Sequence, residues 1–278
     1  MLLTEFIGTY ADFRPIRPST ESQYRYCVLS LERFLGRPAI LADLTAEIVN
    51  PWLRHLAASG SVYTAHSRRC TLLSIWRLAA ELGHIDPPRR VRRVKRPEHL
   101  IESISAEQCR ELVAATAGLR SKFRGYCWRD LIRTWIVATL ETALRPGDML
   151  SLQWPQLSAT GGRFALIQQK TGKARRVAFS QSLMRDIGTW HKPTGPVWPI
   201  SRQSASRRIK LVGELVGLAG LTHTDLRKAA ITDVERQCPG AGWIFAGHAS
   251  PATTQGWYID SEAAYRGVPA PSLLGSNL

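Results

Sequence analysis

Pro87-Pro88-Arg89-Arg90-Val91-Arg92-Arg93-Val94-Lys95-Arg96-Pro97 is the stretch that decides how the chain is built. Each proline lacks an N–H donor, and the residue before a proline is pushed toward extended geometry, so prolines at both ends deny this run a helix interior. Six basic side chains fall within the eight residues from Arg89 to Arg96 and cannot be buried together. The segment therefore reads as an exposed connector between two domains. The expected division is residues 1–88, a basic linker at 89–97, and residues 98–278. The run is either a solvated spacer or a segment that lies along phosphates, where every contact releases counterions.

Upstream of the connector the pattern is helical. Tyr24, Cys27, Val28, Leu31, Phe34 and Leu35 recur at three- and four-residue intervals and predict one buried stripe, which Gly36 ends. A second helix is expected to start at Thr45, with Ile48, Val49, Trp52, Leu53 and Leu56 on one side and Pro51 tolerated in its first turn. A third is expected from Ser61 to Leu82. Downstream, Ser105 and Gln108 have the spacing of a capping box, and a long apolar helix is expected over Tyr126 to Leu144. Arg163 to Gln169 and Arg175 to Phe179 read as strands, joined by a turn at Lys170-Thr171-Gly172-Lys173. The remainder is mostly helical. The fold class is mainly α with a small antiparallel β-sheet (α+β).

Composition bounds the function. Hydrophobic residues make up 44% of 278, enough for real cores, which excludes disorder of the whole chain. Lys and Arg number 37 against 22 Asp and Glu, a net charge of +15, and a chain this basic most often meets a polyanion such as nucleic acid. The five cysteines form no Cys-x-x-Cys pair, and the seven histidines show no metal-ligand spacing, so neither a disulfide framework nor a metal site is expected. Neither a signal peptide nor an apolar run of membrane-spanning length is recognisable, and a soluble, cytoplasmic protein is expected. The tryptophans fall mostly on apolar helix stripes and read as core.

Four segments carry candidate chemistry. In Glu141-Thr142-Ala143-Leu144-Arg145-Pro146-Gly147-Asp148, Arg145 ends one helix and Pro146 stands where the next would begin. The others are Gln169-Lys170-Thr171-Gly172-Lys173 on the hairpin, Leu221-Thr222-His223-Thr224-Asp225-Leu226-Arg227-Lys228, and the stretch from Gly247-His248 to Trp257-Tyr258. Each alone is a weak signal, because an Arg before Pro-Gly is usually a turn residue and a lone Gly-His is usually structural.

In this order, from Arg145 to Tyr258, the segments resemble the tyrosine recombinase, or phage integrase, family. The helices before the connector agree in character and position with that family's core-binding domain. The resemblance implies a two-domain C-shaped clamp on double-stranded DNA, a helical core-binding domain plus a tyrosine-recombinase catalytic domain. It implies a site-specific recombinase or integrase that cleaves and rejoins DNA through a 3′-phosphotyrosyl link. Strand cleavage without a metal needs the phosphorane charge met by fixed cations, and guanidinium forks suit phosphate oxygens. On this resemblance Arg145 and Arg227 clamp the scissile phosphate and Asp148 orients the site. Lys170, rather than Lys173, protonates the leaving 5′-oxygen. His248 donates a hydrogen bond or accepts a proton, and Tyr258 is the nucleophile. Arg89, Arg90, Arg92, Arg93, Lys95 and Arg96 would contact DNA. No metal or other cofactor is implied, and self-assembly into a tetramer on two duplexes, in the nucleoid, is expected. No extra N-terminal DNA-binding domain is recognisable, and the simple two-domain type is expected.

Two departures matter. The family's His-x-x-Arg pattern puts a histidine at position 224, but Thr224 stands there and His223 comes one residue early, roughly 100° around a helix. Thr224 either donates a hydrogen bond to phosphate or caps the helix. The commonest spacing from the Gly-His histidine would place the tyrosine at Trp257, and Tyr258 follows one residue later, with Tyr265 further on. Two rivals stay open: a catalytically impaired DNA-binding protein on the same fold, and a related type IB-like topoisomerase. Neutralising Arg92, Arg93 and Lys95 together is expected to flatten the slope of log affinity against log salt by about two to three units. DNA titrations at several salt concentrations check this, and an unchanged slope would show that the run does not touch phosphate.

Overall fold

The computed structural model describes residues 1–95, 102–158 and 162–255. Arg96, Trp257, Tyr258 and Tyr265 lie outside them. The chain divides into two compact units, residues 1–99 and 100–278.

The first unit is built from α1 (Leu3–Phe13), α2 (Pro18–Leu35), α3 (Ala46–Ser59) and α4 (Val62–Glu81). Helix α1 was not among the expected elements. Its Leu3, Phe6, Ile7 and Tyr10 follow helical spacing and are buried in the unit's core, and Leu3 N–H donates to Ala39 O at 2.9 Å. Tyr24, Cys27, Val28 and Leu31 of α2 are buried as their spacing predicts, whereas Phe34 is exposed at the helix end. Gly36, at φ 70°, stops α2 in a left-handed conformation that glycine adopts at little cost. Pro51 corrects the expected placement, because it lies inside α3, beyond its first turn. Its missing N–H is outweighed by the packing of Val49, Trp52 and Leu53, all buried around it.

The basic connector is exposed in its side chains and anchored in its backbone. Asn50 Nδ2 donates to Arg90 O at 3.1 Å, and Asn50 Oδ1 accepts from Arg92 N–H at 2.7 Å. Arg69 Nε donates to Arg92 O at 2.7 Å. Val91 and Val94 pack on the core of the unit, while Arg89, Arg90, Arg92, Arg93 and Lys95 are exposed. The two valines alternate with pairs of basic residues, so one edge of the segment is glued down and the charges are left outward.

The second unit holds α5 (Ala106–Ala115), β1 (Lys122–Phe123), β2 (Tyr126–Cys127), α6 (Trp128–Thr142), α7 (Pro146–Leu150) and α8 (Trp154–Ser158). It continues with β3 (Arg163–Ile167), β4 (Ala174–Ala178), α9 (Gln181–Gly188), α10 (Arg202–Leu215), α11 (His223–Gln237), α12 (Gly242–Ala246) and α13 (Pro251–Gln255). The capping box forms at α5: Gln108 N–H donates to Ser105 Oγ at 3.1 Å, and Ser105 N–H to Gln108 Oε1 at 2.8 Å. The long apolar helix starts at Trp128 rather than Tyr126, because Tyr126 and Cys127 pair antiparallel with Phe123 and Lys122. Arg124 and Gly125, both at positive φ, close that hairpin in the mirror-image turn that matches strand twist.

Helix α6 is the centre of this unit, with Leu131, Ile132, Trp135, Ile136 and Ala138 fully buried. It packs on α9 and α11. Strands β3 and β4 pair antiparallel from Arg163 opposite Ala178 to Ile167 opposite Ala174. Phe164, Leu166 and Val177 face inward. Arg175, opposite Leu166, shares the strand face of Val177. Trp52, Trp76, Trp128, Trp135, Trp154 and Trp198 are buried, in keeping with their reading as core. Among the described residues no helix is long and apolar enough to cross a membrane.

Asn50→Ala removes two hydrogen bonds worth about 0.5–1 kcal/mol each and is expected to raise tryptic cleavage between Arg90 and Lys95 roughly tenfold. Limited proteolysis followed by mass spectrometry checks this. An unchanged rate would mean that Arg69 and the two valines hold the segment by themselves.

Candidate active site

Three chain turns of the second unit converge. The first follows α6, which ends where Ala143 takes a left-handed conformation at φ 47°. Ala143 stands where glycine is commoner, and its methyl is fully buried with Ala230, Ile231 and Ala246. Arg145 then caps α7, with Pro146 in its first turn, where the missing N–H costs no helix bond. Asp148, also in the first turn, is fully buried. Its Oδ1 accepts from Gln169 N–H at 2.7 Å, and its Oδ2 lies 3.9 Å from Arg145 Nη1. The carboxylate thus ties α7 to the hairpin while facing the guanidinium.

The second turn joins β3 to β4. Gly172, at φ 69°, lets its N–H and that of Thr171 both reach Gln168 O, at 2.8 and 3.3 Å. Gln168 is buried, and one orientation of its amide satisfies every neighbour. Nε2 then donates to Gly247 O at 3.2 Å and to Thr171 Oγ1 at 2.7 Å, while Oε1 accepts from Arg145 Nη1 at 3.1 Å. Lys170 and Lys173 are both exposed on this turn, and Lys170 adds its positive field at His248.

The third turn follows α12. Gly247 has φ 63°, and a Cβ there would meet the side-chain amide of Gln168 at 2.4 Å. The backbone can approach the hairpin this closely only without a side chain. Next in sequence, His248 is buried, and its Nδ1 lies 2.7 Å from Thr254 Oγ1. Its Nε2 lies 3.2 Å from Nη2 of Arg227, which projects from α11 and is itself buried. Because a guanidinium can only donate, Nε2 is the acceptor and the ring proton sits on Nδ1, donated to Thr254. Burial, and then Arg227, Arg145, Arg175 and Lys170, push the His248 pKa down to about 4. The ring is neutral at physiological pH.

The structure therefore brings together Arg145, Asp148, Lys170, Arg227 and His248. His223 is used otherwise, and Thr224 is not the helix cap. Helix α11 is capped by Thr222, whose N–H and hydroxyl both donate to Asp225 Oδ2, at 2.9 and 2.7 Å. This corrects the capping alternative for Thr224, which lies exposed within the first turn. His223 is buried against Trp135, whose Nε1–H donates to His223 Nδ1 at 2.9 Å. The proton is thereby fixed on Nε2, which donates to Leu144 O at 2.7 Å. His223 thus holds the residue preceding Arg145, from one helical turn before Arg227 on the same helix. Gln168 and Arg175 were not picked out from sequence; for Arg175 the strand alternation, with a charge on the core face, was the available signal. Tyr258 lies outside the described residues. Among the described residues, no group of three or more His, Cys, Asp or Glu side chains is placed to hold a metal ion.

A model of the phage integrase family matches residues 102–264, more than half of the chain, and the chain belongs to that family. No curated protein matches it. Among solved structures, it is similar to a lambda integrase dimer bound to a COC′ core site, at 19% identity and a TM-score of 0.73, over 98% of each chain. A lambda integrase tetramer bound to a Holliday junction is similar at 20% identity and 0.73, over 97% of this chain and 79% of that one. The Tn1549 transposon integrase in complex with circular intermediate DNA follows at 12% and 0.67, over 97% and 100%. At these identities the likeness is one of fold.

The His223 pKa is pushed down to about 4, chiefly by burial and further by Arg227 and Arg202, with the Leu144 carbonyl acting in the opposite sense. Unfolded, the ring titrates near about 6.5, so the unfolded chain takes up the proton first as pH falls. Stability contributed by the neutral ring is present above about 6.5 and is lost progressively down to about 4, by up to about 3 kcal/mol. His223→Gln is expected to flatten this part of the stability–pH curve, as measured by urea unfolding at stepped pH. An equally steep curve in the variant would place the acid sensitivity elsewhere.

Proposed function

We propose that the chain, as a tyrosine recombinase, cleaves and rejoins double-stranded DNA at a specific site, with Arg145, Lys170, Arg227, His248 and Tyr258 as its catalytic residues. The observation that carries this reading is the convergence of Arg145 and Arg227 on a neutral His248, Arg227 in contact with the ring and Arg145 acting on it through its charge. Two guanidinium groups can hold the non-bridging oxygens of one phosphodiester and meet the charge that develops on them, with the imidazole lone pair beside them to accept a proton. Tyr258, within the family match, attacks phosphorus through its phenol oxygen. A phosphorus–oxygen ester forms on the 3′ side as the bond to the 5′-oxygen breaks. Lys170 gives that oxygen its proton, and its field at His248, with Lys173 not among the groups acting there, supports this choice. The phosphotyrosyl ester keeps the bond energy, so religation by an incoming 5′-hydroxyl needs no external energy source.

On the same reading residues 1–88 are the core-binding domain, 89–97 a basic linker along phosphates, and 98–278 the catalytic domain. The lambda integrase dimer and tetramer are bound to a core site and a Holliday junction, and a corresponding tetramer on two duplexes is proposed here. Asp148 and Gln168 orient Arg145. A cytoplasmic, nucleoid-associated location follows from the substrate.

Selection of bound duplexes from a randomised library identifies the site, and a nick beside the cleavage position traps the covalent product. Tyr258→Phe is expected to leave DNA affinity within about threefold and to abolish the adduct, whereas Trp257→Phe retains some of it. If the unmodified protein forms no adduct on its selected duplex, the chain is a non-catalytic DNA-binding protein. An adduct formed by Tyr258→Phe would move the nucleophile to Tyr265.

A further inference from the structure

Arg175 enters the site from behind. From β4 its guanidinium turns inward, and Nη2 donates to Thr142 O at the end of α6 and to Phe245 O near the end of α12. Thr142 lies three residues before Arg145, and Phe245 three residues before His248. The Arg175 side chain also runs along Gly247, where a Cβ would meet its Cδ at 2.9 Å, and its Cζ lies 5.9 Å from the centre of the Phe245 ring. Nη1 is buried with no hydrogen-bond partner among the described residues. An apolar residue at this inward strand position would avoid burying a cation close to Arg227 and Arg145.

We propose that Arg175 is a positioning residue: one guanidinium nitrogen holds the helix-end carbonyl three residues before Arg145 and the one three residues before His248, and so fixes the distance between them. It touches neither substrate nor reacting atoms. Two hydrogens on one planar nitrogen can serve two carbonyls at a set angle, whereas a lysine ammonium on a shorter stem acts as a point charge. The functional meaning of that distance rests on the proposed recombinase reading, in which Arg145 and His248 grip the same phosphate.

Arg175→Lys keeps the charge and breaks the bridge, and Arg175→Met removes both. The groups that face His248 are Arg227 from α11, Arg145 from the turn before α7, Lys170 from the hairpin turn, Arg175 from β4 and the Thr254 hydroxyl from α13. On the nicked selected duplex, Arg175→Lys is expected to slow adduct formation roughly tenfold to a hundredfold, with DNA affinity within about threefold. In the protein without DNA, the His248 ring signals followed by NMR should titrate near the native midpoint in Arg175→Lys. In Arg175→Met that midpoint should rise, because a nearby cation is gone. An Arg175→Lys protein that cleaves at the native rate overturns the proposal, and this variant decides alone if Arg175→Met does not fold. If the native protein does not cleave, the recombinase reading fails separately. The brace is then decided by NMR: displaced His248 ring signals in Arg175→Lys support it, and unchanged signals overturn it.

Discussion

Around His248 the fold gathers Arg145, Arg175, Arg227 and Lys170, with Asp148 as the buried carboxylate of the same cluster. Like charges brought this close in a partly desolvated setting repel one another, and each also loses hydration. At Arg175, burial first, then Arg227 and Arg145, lower the pKa to about 10, against the opposing effect of Asp148. Much of the local architecture can be understood as what keeps these cations in place when no anion is bound. Arg145 has Gln168 and Asp148, Arg175 has two helix-end carbonyls, and Arg227 has the lone pair of a neutral imidazole.

Apart from Asp148, the scaffold meets this demand with backbone rather than with countercharge. Helix ends present unsatisfied carbonyls, and the end of α6 carries the negative pole of a well-formed helix. Directing Thr142 O and Phe245 O at one guanidinium therefore offsets positive charge without adding a second carboxylate, which on the proposed reading would compete with the phosphate. The geometry requires both chains to turn sharply just beyond those carbonyls. Ala143 and Gly247 do so in left-handed conformations. At Gly247 glycine is needed twice over, for its φ and for contact with Gln168 and Arg175. His223 adds a third strut, carrying α11, and with it Arg227, against Leu144 O.

What could be read from sequence follows the range of the interactions. The four segments, the hairpin and the helical first unit were legible because each is declared by neighbours: Pro146 beside Arg145, the alternation of Phe164 and Leu166, the spacing of Tyr24, Cys27, Val28 and Leu31. Helix α1, the β1–β2 hairpin and the second-turn position of Pro51 were not, since short or punctuated elements are decided by the core they pack on. His223 shows the limit clearly. Its offset from the family pattern was visible, but its partners Trp135 and Leu144 are 88 and 79 residues distant, and no local rule brings them together. Arg175 lies between these cases: strand alternation placed a charge on the core side, and only the fold supplied the two carbonyls that receive it.

The same charge excess sets the protonation chemistry. His248 is held neutral by burial and by four cations, with its proton on Nδ1 toward Thr254 and its Nε2 lone pair toward Arg227. A phosphodiester placed between Arg145 and Arg227 brings the negative charge that the cluster lacks and screens those cations from the ring. Its arrival must then raise the affinity of His248 for a proton, and linkage makes the effect reciprocal: a protonated ring binds the anion more tightly. Charge that accumulates on the phosphoryl oxygens at the transition state strengthens the same coupling. On the proposed reading the imidazole is therefore a poor proton carrier in the empty site and an increasingly good one as phosphorus becomes pentacoordinate. That is the moment at which a proton from the attacking phenol needs a destination.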